Sequence, residues 1–354
     1  MQNPPQPLFA PPAAREDKPA FDLLPQSMRE KIERRTGGRI VSGETIYGSL
    51  SSSAGFVLTF DSGLKVFAKG SHPDEMSHGT LHIRREIKAY EDIAVLRDIA
   101  PQLFTWVSDN DEDGWTLGVW KYIRASTNNA GTRVPEIMSL LARTHSAEVA
   151  AGTVPEAATH NYMSLFLSDT KKWRRIQDDP KIREKFLLLF EDAQAAGEWL
   201  TRNIGALIDL QSRAASANFV QGFLHGDLRL DNIIAADDRC YIVDWPNACT
   251  GPVLFDVVML AGHIEAMGYG AAENTFDVYR AAGGTALASI NDENISIMTA
   301  LLAGYFADQA YRTVPPKLPR LRWMQKSLLC SHLRLLARLS KTESPPRMQG
   351  QDSI

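Results

Sequence analysis

His225-Gly226-Asp227-Leu228-Arg229-Leu230-Asp231-Asn232 is followed, past a short apolar run, by Ile242-Val243-Asp244-Trp245. An aspartate, an asparagine five residues on, and a second aspartate behind an apolar strand make an acid-and-amide set. Such a set suits phosphoryl transfer, in which the protein chiefly positions groups and neutralises charge. Asp227 is the candidate to orient the attacking hydroxyl and take its proton. Mg2+ prefers oxygen ligands and takes one or two carboxylates from protein, so Asn232 and Asp244 are the candidate ligands. His225 is better suited to bracing the loop by hydrogen bonding. Singly, each piece has a plainer explanation: a His-x-Asp can cap a loop, and Asp244-Trp245-Pro246 can end a strand in a turn. Together they have the right order and gap. Ile233, Ile234, Tyr241, Ile242 and Val243 are strand-like and would set both acids at the ends of a hairpin.

Composition bounds the rest. The chain has 354 residues, 44% hydrophobic and 23% charged, which is enough for two domains or one large bilobal one. A net charge of −4 gives no support for nucleic-acid binding, which usually leaves a basic footprint. Cys240, Cys249 and Cys330 show no CxxC spacing, so neither a disulfide framework nor a zinc site is expected, and a cytoplasmic location is the default. We find no signal-peptide pattern and no apolar stretch of the roughly 20 residues a membrane span needs, so no membrane association is expected. Oligomeric state is left open.

Residues 1–25, with Pro4, Pro5, Pro7, Pro11, Pro12 and Pro19, are expected to be a flexible or extended arm. A short helix at residues 27–35 ends at Gly37-Gly38. Residues 26–120 form a first lobe. Gly55-Phe56-Val57-Leu58-Thr59-Phe60 and Leu64-Lys65-Val66-Phe67-Ala68-Lys69 are strands about an Asp61-Ser62-Gly63 turn. Further strands fall in 39–47, 104–107 and 115–120, the last two joined by a polar turn at 109–114. Ile83, Ile87, Tyr90 and Ala94 mark one helix. The expected fold class is therefore α+β, a five-stranded antiparallel lobe with one helix. Residues 121–345 form a larger, mainly helical lobe, with periodicity over 135–146, 181–210, 255–267, 294–311 and 321–339. Short strands are expected at 223–225, 232–235 and 241–244.

The segment His225–Asn232 with Ile242–Trp245 resembles the Brenner-type motif of the aminoglycoside phosphotransferase and choline kinase-like family, a branch of the protein-kinase-like fold. Protein kinases carry HRD and DFG where this chain has His225-Gly226-Asp227 and Asp244-Trp245-Pro246. No APE-like activation segment follows, so the small-molecule branch is the closer match. Gly251-Pro252 leading to Asp256 resembles a further family segment, which implies that Asp256 supports the catalytic loop. The resemblance spans about residues 35–340 and implies ATP and Mg2+ as cofactors, with a small-molecule hydroxyl as acceptor: an aminoglycoside-like antibiotic, an amino alcohol or a sugar-type metabolite. It also implies a lysine for the phosphates and a glutamate to hold it, which fall on Lys69 and Glu86. Lys65 shares a strand face with Lys69, and spacing alone leaves the choice open. The loop Tyr47-Gly48-Ser49-Leu50-Ser51-Ser52-Ser53-Ala54-Gly55 lacks G-x-G-x-x-G, but Ser51 and Ser52 could donate to phosphate. Tyr122 and Ile123 are expected at the hinge, beside the adenine.

In such enzymes acids of the helical lobe often meet an amine acceptor, and Asp231, Glu265 and Asp308 could serve. Tyr305, Asp308 and Arg312 share a helical stripe, which a solvated face also explains. The basic last helix is expected to meet acidic partners within the chain. The alternative reading is a non-catalytic kinase-like nucleotide-binding or scaffold protein, with the irregular loop as its support.

Overall fold

In the computed structural model, residues 5–73, 79–109, 114–126, 130–283 and 290–352 are described. Five antiparallel strands build the first lobe: β1 (Ile40–Thr45), β2 (Ala54–Phe60), β3 (Lys65–Ser71), β4 (Leu103–Ser108) and β5 (Thr116–Lys121), in the order β1-β2-β3-β5-β4. Alternation along β2 sends Phe56, Leu58 and Phe60 to one face. There they form a core with Val66, Ala68, Leu117, Val119 and the buried Met28 and Ile32 of helix α1 (Gln26–Thr36). The other face carries α2 (Gly79–Asp92), which buries Ile83, Glu86, Ile87 and Tyr90. The register sets Lys69 opposite both Gly55 and Gly118, on the face turned to α2. Of the turn expected at 109–114, residues 110–113 lie outside the described residues.

A short helix, α3 (Leu96–Ile99), joins the sheet lobe, and the rest of the chain is mainly helical. In order come α4 (Val134–His145), α5 (Asn161–Leu167), α6 (Lys172–Asp178), α7 (Pro180–Leu187), α8 (Ala193–Arg213), α9 (Leu254–Ala266), α10 (Ala272–Ala281), α11 (Asp292–Ala310) and α12 (Leu321–Leu339). Every residue of α9 is buried, including Asp256, His263 and Glu265. Strands β6 (Gln221–Leu224) and β9 (Cys249–Pro252) pair with each other, and β7 (Ile233–Ala235) pairs with β8 (Cys240–Ile242). No helix among the described residues is long and apolar enough to cross a membrane.

Three expectations are corrected. The single helix read over 181–210 is two, because Asp192 accepts from Ala195 N at 2.9 Å and starts α8 afresh. Helices α3, α5 and α10 and strand β9 form where no helix or strand is expected from the sequence. The arm at 1–25 is not loose over its described part. Leu8 and Phe9 are buried, Leu8 N donates to Ala266 O at 2.8 Å, and Trp323 Nε1 donates to Phe9 O at 3.2 Å. Two apolar anchors and a buried Glu16 tie down a segment whose prolines only keep it extended.

Candidate active site

The loop between β6 and β7 is shaped from beneath. Asp256, near the start of α9, accepts from His225 N at 2.7 Å and from Gly226 N at 3.0 Å. Those bonds satisfy two buried backbone donors. Gly226 has φ +80°, and a Cβ there would lie 2.4 Å from Asn247 O, so only glycine fits this turn. The His225 ring closes the loop from the other side. Its Nδ1 accepts from Asp227 N at 3.2 Å, and its Nε2 meets Val243 O at 2.9 Å. Trp245 packs at 4.7 Å from that ring and stacks on Phe223 at 5.7 Å. His225 and Asp256 are thus both hydrogen-bonded to backbone of this loop or of the segment before Asp244.

Asn232 Nδ2 donates to Asp227 O at 2.9 Å, which fixes the amide five residues from the acid. The β7–β8 hairpin begins just after Asn232, and Asp244 follows β8. Val243 N donates to Asn232 O at 2.9 Å, so the two candidate ligand positions are joined by backbone. Asn232 and Asp244 carry hard oxygen donors of the kind Mg2+ takes. No three His, Cys, Asp or Glu side chains form a metal cluster among the described residues.

From the sheet lobe, Lys69 Nζ reaches Glu86 Oε2 at 2.8 Å and Asp244 Oδ1 at 2.6 Å. Glu86 also accepts from Trp245 N at 3.2 Å through its other oxygen. Burial alone would lower the Lys69 pKa, but the Asp244 and Glu86 carboxylates more than offset it and hold the ammonium charged. Burial pushes Glu86 up, whereas Lys69 draws Asp244 down. Lys65, the rival, is exposed at the start of β3, whereas Lys69 lines a cavity with Asp227 and Asp244.

Asp227, Lys69, Glu86 and Asp244 line one cavity of about 140 Å³, together with Leu50, Ser51 and Ser53. Ser51 is therefore at the site. Ser52 is not: it is buried, and its carbonyl meets His72 Nε2 at 3.0 Å. Tyr122 and Ile123 follow β5 at the lobe junction and do not line this cavity; Ile123 lines a separate one of about 490 Å³ with Tyr90 and Tyr241.

Two site residues were missed from sequence. Arg229 pairs with Asp227 through Nη1 and with Asp231 Oδ1 at 2.9 Å. Burial raises the Asp227 pKa, and Arg229 partly counters the rise. An arginine two residues after the acid was the signal. Asn247 lines the same cavity, and its Oδ1 is buried without a hydrogen-bond partner. Nothing in the sequence around Trp245-Pro246-Asn247 marked it.

The acids considered for an amine acceptor are already engaged. Asp231 is held by Arg229, Asp308 by Arg312 at 2.6 Å, and Glu265 by Arg338 at 2.5 Å. Glu265 also accepts from Ala272 N, which marks it as a brace between α9 and α10.

Comparison with known proteins follows this geometry. A family model described as the phosphotransferase enzyme family matches residues 52–291. No curated protein sequence matches at a significant level. A protein of Ralstonia eutropha JMP134, provisionally assigned as an aminoglycoside phosphotransferase, superposes with a TM-score of 0.57 at 15% identity, covering 90% of this chain and 99% of its own. An aminoglycoside phosphotransferase in ternary complex with ADP and hygromycin B gives 0.53 at 11% identity, covering 90% and 100%. A choline kinase of Streptococcus pneumoniae gives 0.50 at 14% identity, covering 89% and 98%. At these identities the likeness shows a shared α+β bilobal fold.

Proposed function

The chain belongs to the phosphotransferase enzyme family; we propose that it is a small-molecule kinase, which moves the γ-phosphate of ATP, with Mg2+, to a hydroxyl of its acceptor. The observation that carries this reading is the convergence of Lys69, Asp244 and Asp227 on one cavity between the two lobes. Lys69, fixed by Glu86, sets one positive charge where phosphates would bind. Asp227 orients the acceptor hydroxyl and takes its proton, with Arg229 holding the carboxylate in place. Asn232 and Asp244 would hold Mg2+, which when bound neutralises charge on the phosphates. Neighbouring structures were solved with AMP or ADP, in support of an adenine nucleotide as donor. We place the reaction in the cytoplasm, in keeping with three free, buried cysteines.

The pairing of Asp231, Asp308 and Glu265 with arginines bears on the acceptor. A polyamine would have to displace a guanidinium to reach any of these carboxylates. A neutral or anionic hydroxyl compound meets no such competition, and we favour one. The test measures ATP consumption by the purified full chain against aminoglycosides, amino alcohols, sugars and hydroxy acids, with Asp227→Asn as the blank. Turnover of a sugar or hydroxy acid that vanishes in the blank is expected. Turnover of amines alone would reverse the acceptor preference, and consumption unchanged in the blank would remove the proposed base.

A further inference from the structure

Residues 8–24 run from the helical lobe to the sheet lobe. At one end Phe9 packs under α12, where Lys326 Nζ lies 4.7 Å from its ring. At the other, Phe21 N donates to Thr45 Oγ1 at 3.0 Å and its ring meets Phe56 edge-on at 5.8 Å. Between these anchors the strap grips the serine-rich loop at residues 47–53. Lys18 Nζ donates to Ser49 Oγ and to Ser53 O, each at 2.9 Å. The Arg15 guanidinium lies 5.8 Å from the centre of the Tyr47 ring. Glu16 is fully buried and takes Arg320, the residue before α12, through both its oxygens. Arg320 in turn donates to Tyr47 O at 3.4 Å and Ser49 O at 3.3 Å.

The same loop supplies Leu50, Ser51 and Ser53 to the cavity that holds Lys69, Asp227 and Asp244. A loop with one glycine and four serines would be costly to order at the moment of binding. Here it is held beforehand through its carbonyls and one hydroxyl. One of the holders, Arg320, belongs to the opposite lobe, so the contact spans the cleft.

We propose that Lys18 and the Glu16–Arg320 pair are positioning residues that clamp the 47–53 loop over the nucleotide site. The clamp rests on the kinase reading for its consequence, though not for its existence. Glu16 is the keystone, because without its carboxylate the half-buried Arg320 loses its counter-charge. Lys18 is the better probe, since Lys18→Met keeps the aliphatic stem and removes only the donor.

The experiment compares the full chain with Lys18→Met, Lys18→Arg and Glu16→Gln by amide hydrogen exchange at residues 47–53 and by Mg-ATP binding. Thermal midpoints confirm folding. We expect faster exchange confined to the loop in Lys18→Met and about a tenfold weaker Kd for Mg-ATP. Acceptor KM should be unchanged, and Lys18→Arg should recover most of the loss. Unaltered exchange together with an unaltered Kd, in a Lys18→Met protein that melts like its parent, overturns the clamp. Should the parent itself bind no Mg-ATP, the kinase reading fails separately, and loop exchange alone still decides whether the clamp exists.

Discussion

Lys69 and Asp244 stand 175 residues apart in the chain and 2.6 Å apart in space. The contact joins β3 of one lobe to the segment after β8 of the other. It closes a ring, because Glu86 holds both Lys69 and the backbone of Trp245. One ion pair therefore registers the two lobes against each other.

Lys69→Met should lower kcat/KM for ATP by at least about 100-fold, the usual scale for losing a preorganised charge in a dry site. It should also destabilise the fold by roughly 3 kcal/mol, since Glu86 would be left buried and unpaired. Lys69→Met with Glu86→Gln should regain most of the stability and none of the activity. Thermal unfolding of the three variants beside steady-state kinetics checks this; a double variant no more stable than the single would show that the pair is not the source.

Asp227→Asn should fold, keep its nucleotide affinity and lose about 10²- to 10⁴-fold in kcat, the range for a removed general base. The pH profile carries a second check. Burial raises the Asp227 carboxyl above its ordinary 3.8, so the acidic limb should lie at higher pH than an unperturbed aspartate would give. Arg229→Gln removes a charge that favours the ionised form, so it should move that limb further up. The sign for stability is opposite to that of a salt-bridged acid: a raised folded pKa makes ionisation at neutral pH unfavourable to the fold. Asp227→Asn should then melt no lower than the parent at pH 7. A limb that moves down in Arg229→Gln would dismiss Asp227 as the titrating group.

Asp256→Asn should disturb the catalytic loop without touching a reactant. Its carboxylate accepts two backbone N–H groups, and an amide can present only one oxygen to them. A stability loss of about 1–3 kcal/mol and a fall in kcat larger than any change in KM for ATP are expected. An equal effect on KM alone would place Asp256 outside loop support.

Asp244→Asn should remove the Mg2+-dependence of nucleotide binding, and chelation of the metal should stop turnover in the parent. Isothermal titration with and without Mg2+ reads the first directly. Metal-dependent binding that persists in the variant would reassign the ligand.

Much of this was legible in sequence because it was local. The acid, the amide and the second acid sit on one loop and one hairpin, and Gly226 and Asp256 lie within the same stretch. The five strands showed as apolar runs set off by turn residues. Choosing Lys69 over Lys65 required the sheet register and the fold of α2 over it. Arg229 was passed over because its role depends on where a side chain turns, not on spacing. The strap was misread for a physical reason: proline content speaks to stiffness, while the anchors are two apolar residues and a carboxylate whose partner lies 304 positions away. The short helices α5 and α10 escaped because few turns leave no clear period.

Asp244 has φ +71°, in the left-handed region that non-glycine residues enter at a cost. Glycine would relax that backbone, but it would also discard the carboxylate. Asparagine alone among the polar alternatives tolerates the shape, and it would give up the negative charge. Either exchange would also remove the carboxylate that Lys69 reaches at 2.6 Å from the other lobe. Backbone shape and ion pair thus pull position 244 in opposite directions, and aspartate is the side chain that serves the second while still entering the first.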